Sequence, residues 1–123
     1  MQIDQQTDPT SLAAHGAEAI RLLCSGGIDV LARQFGYACA YHREPSAAIR
    51  EDLGRCLAEL NANSLVRGAG APTVKYFGAN DATLFALVEC LAVADNGGRV
   101  LVELVVAGDD SAKHISLEDI SAA

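Results

Sequence analysis

Tyr41, His42, Arg43 and Glu44 stand side by side immediately before Pro45, four groups able to move protons or hold anions. In an extended segment His42 and Glu44 alternate onto the same side, and a histidine beside a carboxylate can act as a general base near neutral pH. The competing reading is a solvated corner in which Glu44 and Arg43 sit near a helix start. Glu89, set in a long apolar run, is a third candidate proton carrier. Tyr41 and Tyr76 can offer hydroxyls to a pocket. His15 reads as a helix-surface residue and His114 as a residue near a strand start. No histidine is closely spaced with another histidine or a cysteine, so no metal site is expected. No serine or cysteine lies in a nucleophile motif such as GxSxG. The Gly-rich stretch "NANSLVRGAGAP" lacks the lysine and spacing of a phosphate-binding loop and reads as a plain loop. No cofactor is implied.

Composition narrows the function classes. The 123 residues are half hydrophobic and one-fifth charged, without tryptophan, the profile of one globular domain over 1–123. A net charge of −7 with scattered basic residues argues against nucleic acid and against a membrane surface. The opening "MQIDQQTDPT" is polar and acidic, unlike a signal peptide, and residues 1–8 are expected to form a flexible tail. Cys24, Cys39, Cys56 and Cys90 lie far apart inside apolar patterns, which favours reduced thiols and a cytoplasmic protein.

The elements that must carry these residues follow from periodicity. Asp8-Pro9 opens a helix on which Leu12, Gly16, Ala19, Ile20, Leu23 and Cys24 recur at helical spacing. A short second helix presents Ile28, Leu31, Ala32 and Phe35 and stops at Gly36. Residues 37–42 read as a strand, and a third helix from Pro45 presents Ile49, Leu53, Cys56, Leu57 and Leu60. From Thr73 the period changes to two, which predicts strands near 73–78, 82–94, 99–107 and 113–120. Helices gathered before an antiparallel meander indicate an α+β domain.

Asn96-Gly97 is a strong hairpin signal. A two-residue turn there would place Glu89 opposite Leu104. It would also put Phe85, Leu87, Leu91 and Val93 with Val100, Val102 and Val106 on one face. That bulkier face is assigned to the helices, making Glu89 a pocket acid or base. The other face would carry Leu84, Ala86, Val88, Leu101 and Val105. Both faces are apolar, and an uncovered apolar sheet face usually marks an interface, so a homodimer through the second face is expected.

"SGGIDVLARQFG", "YHREPSAAIREDL" and "RVLVELVVAGDDSAKHISLEDI" together resemble the SnoaL-like and ketosteroid-isomerase-like pattern, over roughly residues 12–120. The resemblance implies a cystatin-like, nuclear-transport-factor-2-like roll, with three N-terminal helices packed on a curved, mostly antiparallel sheet. It also implies a cone-shaped pocket for a small apolar molecule, often in a dimer. Pocket walls are expected from Tyr41, Tyr76, Phe85, Leu87 and Leu104. The family's general base, a carboxylate before proline, matches Glu44 after one inserted residue. Its helix-1 tyrosine falls near Ala19 or Ile20, which cannot donate a hydrogen bond, and its later acid falls near Glu103. Steroid isomerisation is therefore disfavoured. The expectation is a ligand-binding dimer; the alternative is a small acid–base enzyme using Glu44, His42 or Glu89.

Overall fold

The computed structural model describes residues 1–3, 7–78 and 83–123. Its elements are β1 (Gln2–Ile3), α1 (Pro9–Cys24), α2 (Ile28–Phe35), a 3-10 turn (Ala38–Ala40) and α3 (Pro45–Leu60). Strands β2 (Leu65–Gly68), β3 (Thr73–Tyr76), β4 (Leu84–Ala94), β5 (Arg99–Gly108) and β6 (Lys113–Ala122) follow. The protein is α+β, with three helices against a curled antiparallel sheet ordered β1-β6-β5-β4-β2, β3 also pairing with β4. This architecture is compatible with the roll that the sequence resembles.

Local chemistry sets the helix boundaries. Asp8 caps α1 by accepting from the Ser11 amide at 3.1 Å and the Ser11 hydroxyl at 2.7 Å, with Pro9 in the first turn. Gly36, at φ +67°, closes α2. Gln2 and Ile3, in the stretch read as a tail, pair with His114 and Lys113 of β6. The segment 65–68, read as loop, is strand β2, pairing with β4 through a bulge at Leu65/Arg67. Its alternation was masked by the bulge and by the glycines that follow. Residue 82, the expected start of the fourth strand, lies outside the described residues; β4 is described from Leu84.

The expected strand over 37–42 is not formed. Tyr37 leads into the 3-10 turn, and Tyr41 and His42 both take positive φ, 48° and 71°. Two successive non-glycine residues in that region are sterically costly. The corner is held by Arg43, which donates to the carbonyls of Ala40 (2.8 Å) and Cys39 (2.6 Å).

The β4–β5 register also differs from the two-residue expectation. The Ala94 amide donates to Gly98 O and the Gly97 amide to Ala94 O, leaving Asp95, Asn96 and Gly97 as a three-residue loop with Gly97 at φ +87°. Asn96 is committed elsewhere: its amide nitrogen donates to Leu60 O (2.8 Å) and Asn61 O (3.2 Å), finishing α3. Glu89 therefore opposes Glu103, not Leu104.

That single residue re-sorts the faces. Ala86, Val88, Cys90, Ala92 and Ala94 point to the helices together with Val100, Val102, Leu104 and Val106. They meet Ile115, Leu117 and Ile120 of β6 and Leu12, Leu23, Leu31, Phe35 and Ile49 of the helices in one core. Phe85, Leu87, Glu89, Leu91, Leu101, Glu103 and Val105 take the outer face and remain half-buried. The interface set expected from sequence is thus split. Ala86 and Val88 are fully buried core residues, Leu101 and Val105 lie on the outer face, and Leu84 is 38% exposed at the strand end.

Candidate functional site

At the corner that opens α3, Tyr37, Arg43, Glu44 and Asp52 are engaged in hydrogen bonding. Asp52, only 3% exposed on the buried stripe of α3, accepts from the Tyr37 hydroxyl at 2.5 Å and from Arg43 at 3.0 and 3.2 Å. Arg55 adds a contact at 3.2 Å and Arg43 reaches Glu51 at 3.1 Å. The Arg43 guanidinium is the main reason the Asp52 carboxyl is held below the usual carboxylate range, with the Tyr37 hydroxyl adding to it against the cost of burial. Burial and the neighbouring Asp52 push the Tyr37 phenol far up. This cluster fixes a corner and keeps its charges occupied.

Glu44 is the N-cap of α3. Its carboxylate accepts from the Ser46 hydroxyl at 2.7 Å, the Ala47 amide at 2.9 Å and the Ser46 amide at 3.1 Å. These bonds, the Ser46 hydroxyl foremost, lower its pKa, the opposite of what a base poised near neutrality needs. His42 is exposed, and Tyr41 is 75% exposed.

Glu89 stands on the outer sheet face, against the sequence expectation of the helix-covered face, because of the longer β4–β5 loop. Lys75 of β3 donates to it at 2.5 Å. With Ala69, Ala71, Thr73, Leu91 and Leu101 it borders a hollow of about 180 Å³. Across the ladder, burial and the carboxylates of Asp119, Glu89 and Glu118 raise the pKa of Glu103. The expected pocket walls scatter. Leu104 is sealed in the core; Leu87 lies on the outer face; Phe85 lines a hollow of about 290 Å³ at the far sheet end. Tyr76 packs edge-on against Phe85 at 5.5 Å and donates to Thr7 O at 2.7 Å.

A hollow of about 450 Å³ lies between α1 and the break where β2 and β3 diverge along β4. Ala17, Ile20, Arg21, Cys24 and Ser25 come from α1 and its end; Val66, Arg67, Gly68, Gly70 and Pro72 come from β2 and the following loop; Cys90 and Leu91 belong to β4. Two glycines set its shape. A Cβ on Gly16 would fall 2.7 Å from Cys90 Sγ, and one on Gly68 would fall 3.1 Å from Ile20 Cγ2. The Gly16 contact is the tighter of the two and lets α1 lie close to the sheet, whereas Ile20 could yield slightly to a Cβ on Gly68. Arg21 is already paired with Glu18, at 2.8 and 2.6 Å, and burial raises the Cys24 thiol and takes Cys90 to about 12. The walls are therefore largely apolar, with Arg21 and Arg67 among the lining residues. The volume falls within the range of small-molecule sites.

None of Tyr41, His42, Arg43, Glu44 or Glu89 lines this cavity. Sequence reasoning passed over its loop wall because "RGAGAP" matched no phosphate motif; a glycine cluster is also a signal of close backbone approach. Among the described residues, no group of histidine, cysteine and carboxylate side chains could hold a metal. Nor is any described helix long and apolar enough to cross a membrane. No protein family, curated protein or solved structure gives a significant match to this chain.

Proposed function

We propose that the protein binds a small, uncharged apolar molecule in the cavity between α1 and the β2–β3 break, as a SnoaL-like roll working in the cytoplasm as a homodimer. The observation that carries this reading is the cavity itself: about 450 Å³, walled by Ile20, Val66, Pro72 and two protonated thiols. Burying apolar ligand surface there yields about 25 cal/mol per Å² removed from water before the costs of association. The dimer rests on the outer sheet face, where Leu87, Leu91, Leu101 and Val105 are uncovered by the chain's own helices.

Catalysis has less support. Glu44 is spent on helix capping, His42 is exposed at a strained turn, and Glu89 is ion-paired to Lys75 and borders a different hollow. No two of these three groups converge on one hollow.

Nile red, a neutral apolar dye, tests the reading. Its fluorescence should rise saturably in the micromolar range with the wild-type protein. Ala17 is exposed at the cavity rim, so Ala17→Trp should block the mouth, weakening binding at least tenfold without lowering the melting temperature. Binding unchanged by Ala17→Trp, or no binding at all, would refute the site.

A further inference from the structure

Two free cysteines, Cys24 and Cys90, stand in the wall of the cavity of about 450 Å³. Cys39 and Cys56 lie outside that wall and are occupied: Cys39 donates to Asp119 Oδ1 at 3.8 Å and Cys56 to Ile120 O at 3.7 Å. Cys90 is 2% exposed, packs tightly on Gly16, and has no hydrogen-bond partner among the described residues. Cys24, the last residue of α1, is half-buried and equally without a partner among the described residues. Gly16 and Cys24 lie about two turns apart on α1, roughly 12 Å along its axis. The two thiols therefore border different parts of the cavity instead of forming a pair.

We infer that Cys24 is a covalent capture site for neutral, apolar molecules that carry an α,β-unsaturated carbonyl group. This inference rests on the proposed binding cavity and names a class of molecule that it would retain. The surroundings of the thiol select the chemistry. Burial raises the Cys24 thiol, with no carboxylate or guanidinium contributing. A new anion formed there would be poorly compensated. An alkyl halide would release a halide ion, and a disulfide would release a second thiolate. Conjugate addition expels nothing.

In that step Cys24 Sγ forms a bond to the β-carbon as the C=C π bond breaks. The electron pair passes to the carbonyl oxygen as an enolate, and the thiol proton, carried by water, ends on the α-carbon. One S–H and one C=C π bond are exchanged for one S–C and one C–H bond, without oxidant or leaving group. The adduct is as neutral as the thiol it replaces. A protonated thiol is a slow nucleophile, and confining the electrophile beside it offsets this by raising its effective concentration. Cys90 is sealed against Gly16, so it offers the bound molecule a weak S–H donor and is not the group that reacts.

Benzylideneacetone, a neutral apolar enone, and iodoacetamide, a polar reagent that must expel iodide, test the assignment on the full chain near neutral pH. Peptide mass spectrometry should show one enone added at Cys24, at least about tenfold faster than at Cys39, Cys56 or Cys90. Iodoacetamide should prefer Cys24 over Cys39 by less than about threefold. Ala17→Trp, at the cavity rim, should slow enone addition at least about tenfold and leave iodoacetamide labelling of Cys39 unchanged. Cys24→Ser should take up no enone while keeping its circular dichroism and its Nile red binding. Nile red binding without an adduct at Cys24 would overturn the capture and leave the cavity reading standing; loss of Nile red binding alone would strike the cavity reading instead. Addition first at another cysteine, a Cys24 preference shared by iodoacetamide, or an enone rate indifferent to Ala17→Trp would each overturn the capture.

Discussion

The two ends of the helical layer make opposite use of their residues. At the α3 end, Tyr37, Arg43, Glu44 and Asp52 supply the chemistry a reader of the sequence looks for, and every group is consumed by a neighbour. At the α1 end, mostly alanine, glycine, proline and thiols, with Arg21 and Arg67 among them, border a space of about 450 Å³. Reactive residue types thus mark where this chain needed to fix a corner, and small residues mark where it left room. Polar side chains become structural when each can be satisfied locally; a cavity persists where no side chain is long enough to fill it.

The largest expected effect that could break this contrast is at Asp52. Asp52→Ala leaves the Tyr37 hydroxyl buried without an acceptor and strips Arg43 of its main partner, so it should cost about 3–5 kcal/mol in urea unfolding. A loss under 1 kcal/mol would mean that the corner is not a structural lock. The pH dependence has a definite sign. Because the Asp52 carboxyl is lowered in the folded state, its contribution is present above the ordinary carboxylate range and disappears as pH falls through the lowered value. Asp52→Asn should therefore flatten the acid limb of the stability profile. Glu103 is raised instead, so its unfavourable contribution near neutrality is relieved as pH falls through the raised value. Glu103→Gln should remove that relief without changing the limb below the ordinary carboxylate range.

A smaller effect sharpens the same comparison. Glu44→Gln keeps an acceptor oxygen for the first turn of α3 but loses the charge that draws in two amides and a hydroxyl. The melting temperature should drop by a few degrees, with Nile red binding unchanged. Loss of binding instead would join the corner to the cavity and return Glu44 to the functional site.

Much of the fold was legible. Asp8-Pro9 and Gly36 marked helix ends by well-defined local mechanisms, and the period-two pattern after Thr73 located four strands to within a few residues. What was not legible depended on distant partners. The corner at 37–42 reads as a strand by composition, yet Arg43 and Asp52 pull it into a turn through bonds eight and more residues apart in sequence. The faces of β4 and β5 turned on one residue of loop length, settled by Asn96 reaching Leu60 on α3. One signal for the corner was present. Ala48, Asp52 and Cys56 recur every four residues, which places Asp52 on the buried stripe and calls for a buried cation or donor. The cavity was the least legible feature, because its walls come from α1, the β2 loop and β4, which are far apart in sequence.

The α1 end, and not the α3 corner, is the site proposed for binding. The most direct measurement is a ¹H–¹⁵N correlation titration of the wild-type protein with Nile red. The account predicts the largest amide shifts at Ala17, Ile20, Cys24, Gly68 and Gly70, with Tyr41, His42 and Glu44 unmoved. Shifts centred on residues 41–44, or on Leu101 and Val105 of the outer sheet face, would contradict it.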